Sequence, residues 1–158
     1  MTKILIVYYS RTGNTKKMAQ YVAEGVKKEK VEVVVKNVKD TTPNDLLNYE
    51  GIIMGSPTYY GGASAAIRDL IDKSVKFHGK LEGKIGGAFT SSGCIGGGNE
   101  TTILSILTAM LIHGMVIQGT SDDDHYGPVA IEAPDKRAKE NCIALGQRVA
   151  RLVKKLYF

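Results

Sequence analysis

The sequence predicts a doubly wound α/β domain, a five-stranded parallel sheet with helices on both faces, and three observations carry that prediction. Short apolar runs alternate with amphipathic helical stripes along the whole chain. The runs are short and rich in Ile, Val or other apolar residues, as in strands covered on both faces. The first run passes directly into Ser10-Arg11-Thr12-Gly13-Asn14-Thr15 and then into a helical stripe.

In chain order, strands are predicted over residues 3–9, 31–38, 51–56, 85–91 and 115–118. Between the first two, Met18, Val22 and Val26 repeat at spacing four and mark a helix. Pro43 and Asn44 open a crossover brief enough for one or two helical turns, with Leu46 and Leu47 inside it. Ile67, Leu70 and Ile71 mark the next helix, and Ile103, Ile106, Leu107, Met110 and Leu111 the one after. The last helix repeats Ala138, Cys142, Leu145, Val149, Leu152 and Leu156 at steps of four and three, with Pro134 suited to its first turn. Right-handed crossovers then put a ligand crevice at the carboxyl ends of the strands, where the winding reverses.

At 158 residues the chain suits one domain, residues 1–158, with no linker. It carries no leader pattern and no apolar run of about eighteen residues, so the expectation is a cytoplasmic protein without a membrane span. Cys94 and Cys142 stand far apart with no metal-ligand spacing, which predicts reduced thiols and no metal site. The net charge of +5 comes from scattered lysines on helix faces and in turns, without the basic stripe interleaved with aromatics that nucleic acid demands. The run Asp122-Asp123-Asp124 reads as a solvated loop, a metal site or a docking spot.

A strand that ends in hydroxyls and a glycine before entering a helix is an anion cup. The first-turn N–H groups and the helix dipole favour negative charge, and the hydroxyls supply further donors. The loop lacks the lysine of a nucleoside triphosphate site and the three glycines of a dinucleotide site, so a single terminal phosphate monoester fits it best. The bland alternative is a capped helix start. Two further loops share that edge. Ser56-Pro57-Thr58-Tyr59-Tyr60-Gly61-Gly62 follows the third strand, and Thr90-Ser91-Ser92-Gly93-Cys94-Ile95-Gly96-Gly97-Gly98 follows the fourth. A flat conjugated ring such as isoalloxazine uses both kinds of wall, an aromatic face to stack on and bare backbone to bond its polar edge. Rim tyrosines and simple loop flexibility are the plainer readings.

These residues resemble a known family. Ser10 to Thr15 look like the FMN phosphate loop of flavodoxins, and the strand pattern is what a flavodoxin-like fold of strand order 2-1-3-4-5 would give. Five segments are similar to the tryptophan-repressor-binding-protein-like NAD(P)H:quinone oxidoreductases: Gly55-Ser56-Pro57-Thr58, Phe89-Thr90-Ser91-Ser92-Gly93, Gly97-Gly98-Asn99-Glu100-Thr101-Thr102, His113-Gly114-Met115-Val116 and Tyr126-Gly127. The resemblance implies that Ser10, Arg11, Thr12, Gly13, Asn14 and Thr15 hold the ribityl phosphate of FMN. It implies that Pro57, Thr58, Tyr59, Tyr60 and Gly61 border the ring, that Thr90, Ser91, Ser92, Gly93 and Gly97 line its surroundings, and that His113 and Tyr126 lie on the substrate side. His113 serves equally as a helix C-terminal cap beside Gly114.

The chain departs from the longer quinone reductases in two short regions, between the second and third strands and before Tyr126-Gly127. It also lacks a tryptophan in the loop of residues 77–83. Two functions follow. One is a low-potential electron carrier docked by a reductase and an acceptor protein. The other is an FMN enzyme using NAD(P)H and a quinone, with a homo-oligomer among the expected assemblies. The small size and the two short regions favour the carrier, whereas the motif match and the basic charge favour the enzyme, and the balance falls narrowly to the carrier.

Overall fold

The computed structural model describes residues 1–158. Its strands are β1 (Lys3–Tyr8), β2 (Glu32–Asn37), β3 (Gly51–Pro57), β4 (Ile85–Ser92), β5 (Val116–Ile117) and β6 (Val129–Ile131). Its helices are α1 (Asn14–Lys28), α2 (Ala65–Lys73), α3 (Asn99–Ile112) and α4 (Lys136–Tyr157). All strands are parallel and run in the order β2-β1-β3-β4-β5, the predicted order, and the chain has the flavodoxin-like fold. The five-strand count needs one correction, because β6 also pairs with β4. The fifth position is split: Val116 and Ile117 pair with the start of β4, at Ile85 and Gly86. Val129 to Ile131 pair with its end, at Thr90 to Ser92.

Alternating residues of the sheet feed two cores. Ile4, Ile6 and Tyr8 of β1 face α1 and α4, with Met18, Val22, Val26, Cys142, Leu145 and Val149. Leu5 and Val7 face the other way, onto Ile67 and Leu70 of α2 and Ile103, Ile106 and Met110 of α3. The apolar residues at every position from Ile4 to Tyr8 are thus consumed by both faces. The brief crossover is a 3₁₀ helix, Pro43–Asn48, opened by a capping box between Thr42 and Asp45. Pro134 stands outside α4, whose cap is Asp135, with its Oδ1 accepting from the Ala138 N–H at 2.8 Å. Two residues of the predicted stripes, Leu111 and Leu156, are exposed.

The helices α1 and α4 cross backbone against backbone. A Cβ on Gly25 would collide with the Ile143 carbonyl, and one on Gly146 with the Val22 carbonyl. Carbonyls cannot give way as a flexible side chain does, so Gly146→Ala forces the helices apart. We expect a loss of about 2–3 kcal/mol, seen as a lower urea midpoint at unchanged slope. A midpoint equal to wild type would show that the crossing relaxes freely.

Candidate functional site

Three loops meet at the carboxyl ends of β1, β3 and β4, and buried hydroxyls join them. After β1, the Tyr9 N–H donates to the Gly55 carbonyl at 3.1 Å, so sheet pairing runs one residue beyond the strand. The chain then turns through Ser10, whose Oγ accepts from the Gly13 N–H at 3.1 Å. Gly13 has a φ of +104° and begins α1 with no side chain capping it. The first-turn N–H groups therefore keep their donors for a ligand. Arg11 and Thr12 are exposed beside them.

Thr15 is buried, and its Oγ1 lies 2.9 Å from Ser91 Oγ, which ties the first loop to the fourth strand. The Thr58 N–H donates to the Ser91 carbonyl at 2.7 Å, and Thr58 Oγ1 lies 2.9 Å from Thr90 Oγ1. Thr90 Oγ1 also reaches the Ser56 carbonyl at 2.6 Å. Ser56 Oγ in turn accepts from the Ser64 N–H at 2.8 Å, just ahead of α2. Ser56 had no expected role of its own, yet it anchors the loop that carries the tyrosines.

Residues 59–62 form a two-residue hairpin turn. Tyr59 and Gly62 exchange both backbone bonds, at 3.0 and 3.1 Å, and Tyr60 and Gly61 both take positive φ, 49° and 76°. That is the type I′ pattern, unstrained for glycine and costly for tyrosine. Tyr60 projects fully into solvent. Tyr59 packs edge-on against Tyr9, with ring centroids 6.2 Å apart, and partial burial together with Tyr9 pushes its phenol pKa up. The turn rests on the loop after β4, because a Cβ on Gly98 would strike the Gly61 backbone. Gly98, at φ +94°, opens α3 as Gly13 opens α1, again with no side-chain cap. Ser92 accepts from Asn99 Nδ2 at 3.3 Å and bonds the Cys94 carbonyl at 3.1 Å, while Gly93 and Gly97 are exposed.

Tyr126, about half exposed, borders a cavity of about 700 Å³ with Ile95, Gly98, Thr101 and Arg137, on the flank of this loop cluster. The acidic run is less free than its sequence suggests. Asp123 Oδ2 accepts from Arg137 at 2.6 Å and from Asn141 at 3.2 Å, and Arg137 holds the Asp123 carboxyl below its ordinary range. Asp124 Oδ2 takes the Val129 N–H at 2.9 Å and lies 3.1 Å from Arg137. As a docking spot the run therefore keeps one uncompensated carboxylate, Asp122.

His113 is not part of this cluster. The helix α3 runs opposite to the strands, so its last turn lies at their amino ends, away from the three loops. His113 caps it ahead of Gly114, at φ +78°, as the alternative reading held. Its Nε2 lies 2.8 Å from Ser74 Oγ, which itself donates to the Ile71 carbonyl at 2.6 Å, so His113 is the donor of that pair. Nδ1 is then a buried acceptor with no partner. Burial, with His78 nearby, lowers the His113 pKa below its ordinary 6.5. The unfolded chain therefore binds the extra proton first, and stability falls as pH drops through about 6.5 towards the folded value. We expect His113→Gln to flatten the loss of urea stability between pH 7.5 and pH 5. An undiminished slope would assign the loss to other groups.

The fold and the loop cluster define a doubly wound α/β domain with an open loop site at the strand carboxyl ends, and comparison with known proteins gives the family. Residues 5–95 match the flavodoxin domain family, to which the chain belongs. It is 41% identical to a flavodoxin of Aquifex aeolicus (strain VF5), over 97% of this chain and 88% of that one. It is also 33% identical to an NAD(P)H dehydrogenase (quinone) of Archaeoglobus fulgidus, over 99% of this chain and 100% of that one. Among solved structures, a flavodoxin from the domain Archaea superposes with a TM-score of 0.82 at 29% identity, covering 97% of this chain and 99% of that one. No helix is long and apolar enough to cross a membrane.

Proposed function

We propose that this chain binds FMN at the three loops and works as a low-potential one-electron carrier between protein partners. The observation that carries the reading is the exposed apolar rim. Tyr60 is fully exposed and Ile95 90% exposed, with Tyr59 and Tyr126 partly so, around loops that no lid covers. Such a patch is what a transient protein partner desolvates.

The residues present fit the cofactor. The uncapped start of α1 and the hydroxyls of Ser10 and Thr12 match a phosphate dianion, and a Cβ at Gly13 or Gly93 would meet nothing within 4 Å. FMN, when bound, supplies the electron chemistry, and the protein positions it. Arg11, Asn14 and the first-turn N–H groups hold the phosphate. Tyr59 and Tyr60 border one side of the ring, while Pro57 and Thr58 lead into that wall from β3. Thr90, Ser91, Ser92 and Gly97 set the opposite wall through the hydroxyl chain. Gly61 gives the turn a peptide that can reorient cheaply.

Thr12 and Thr15 play different parts. Thr12 is free to donate to phosphate, whereas the Thr15 hydroxyl is engaged with Ser91. Thr12→Ala removes a charge-assisted hydrogen bond of roughly 1.5–3 kcal/mol, so FMN affinity should fall at least about tenfold while riboflavin affinity holds. Fluorescence titration with both flavins checks this, and equal losses would mean that the loop does not hold phosphate.

The 700 Å³ cavity beside Tyr126 favours a second reading, in which NAD(P)H and a quinone enter there and the protein is an enzyme. Stopped-flow bleaching of the FMN-loaded protein by NADPH alone separates the two. The carrier should bleach slowly without a reductase. A rate near a typical turnover of about 10 per second would replace the carrier by the enzyme.

A further inference from the structure

The split fifth strand opens a second cavity on the other side of its loop. Between residues 118–128 and the outer face of α4 lies a hollow of about 600 Å³, lined largely by polar and charged side chains. Arg148 is among the residues that line it. Of the five arginines, Arg68, Arg137 and Arg151 each hold an ion pair. Arg11 and Arg148 hold none. Arg11 is exposed at the phosphate loop and hydrated, but Arg148 is half-buried, and its Nε is sealed from solvent with no acceptor. Burial pushes the Arg148 pKa down and the charge of Asp122 offsets only part of this, while the sealed Nε–H has no acceptor, so an oxyanion entering the hollow would supply what the guanidinium lacks.

We propose that this hollow binds a small phosphate monoester carrying hydroxyl groups, a polyol phosphate, through Arg148. The lining divides by charge. Arg148 and Lys155 supply cationic donors on α4, and Gln147 and Asn141 add amides. Asp123 and Asp124, on the facing loop, are already engaged with Arg137. That leaves Asp122, exposed, with its N–H on Thr120 Oγ1 at 3.2 Å and its carboxylate making no ion pair. A phosphate suits the guanidinium fork, because parallel N–H donors match two oxygens of one group. The Asp122 carboxylate, which makes no hydrogen bond or ion pair though its charge reaches Arg148, accepts from hydroxyls and disfavours a polyphosphate, which sets the class at one phosphate with alcohols attached. The volume lies in the range of small-molecule sites.

The test is titration of the FMN-loaded protein with glycerol 3-phosphate, followed by the ¹H–¹⁵N signal of Arg148 Nε. Loading fills the loop of residues 10–15, and the signal is local to Arg148, so a failure of the flavin reading leaves this result legible. We expect a saturable shift. Arg148→Gln, checked for fold by circular dichroism, should weaken binding at least about tenfold in calorimetry, and Arg148→Lys should weaken it less. Asp122→Asn should tighten inorganic phosphate by removing a repelling charge. The absence of a saturable shift, or binding unchanged in Arg148→Gln, would overturn the site. So would strong stability coupling between Asp122→Asn and Arg148→Gln with no phosphate effect, which would make Asp122 the arginine's own counterion.

Discussion

The buried hydroxyl chain at the carboxyl ends of β3 and β4 is the constraint on which the rest of the site depends. Thr15, Thr58, Thr90 and Ser91 lie within hydrogen-bond distance of one another in pairs, and Thr90 and Ser56 extend the chain into the backbone and towards α2. A hydroxyl both donates and accepts, so such a chain satisfies itself without water, and each member fixes the position of the next. Three loops that would otherwise move independently are held in one arrangement. Sheet hydrogen bonds fix the strands, and these side chains, together with backbone bonds such as Thr58 N–H to the Ser91 carbonyl, carry that order into the loops beyond them.

The two glycine-opened helices belong to the same design. Gly13 and Gly98 both begin helices in the left-handed region with no side-chain cap, where Ser, Thr or Asp would have closed the helix start. The chain closes its other helices conventionally, with Ser64 ahead of α2 and Asp135 ahead of α4. The uncapped starts stand beside the loop cluster, while the capped start of α2 is tied through Ser64 to Ser56. The α1–α4 crossing at Gly25 and Gly146 then fixes where the start of α1 points.

Much of this was legible in the sequence, for identifiable reasons. Strands β1, β3 and β4 announce themselves because both faces are buried, so each carries an apolar run, Ile4 to Tyr8, Ile52 to Met54 and Ile85 to Phe89, before its hydroxyl-bearing or loop end. The uncapped entry into α1 was legible in part, because the residue types of residues 10–15 and their place after a strand mark a helix start with free donors. The split fifth strand was not, since Val129, Ala130 and Ile131 are too few to show a period. The Arg137 pairing with Asp123 and Asp124 was equally hidden, because those residues lie thirteen or more positions apart and meet only after α4 docks. His113 was drawn towards the site by its motif, although a helix that returns antiparallel to the strands carries its last residue to the far end. The turn at Tyr60 and Gly61 was half legible: the glycine showed the need for positive φ, while the tyrosine beside it accepts the same conformation against its preference.

The split at the fifth position also bears on how such chains vary in length. Val116 and Ile117 fix the register at one end of β4, and Val129 to Ile131 fix it independently at the other. Just ahead of β6 the Pro128 carbonyl accepts from the Thr90 N–H at 3.0 Å and Asp124 holds the Val129 N–H at 2.9 Å, so a change of length ahead of Asp124 leaves both anchored ends of the sheet in register. Sequence can be inserted at this single point while the sheet keeps its geometry, and an appendage grown there emerges between the two cavities. Diversity within this architecture has a physical port of entry, set by where the edge of the sheet was left open.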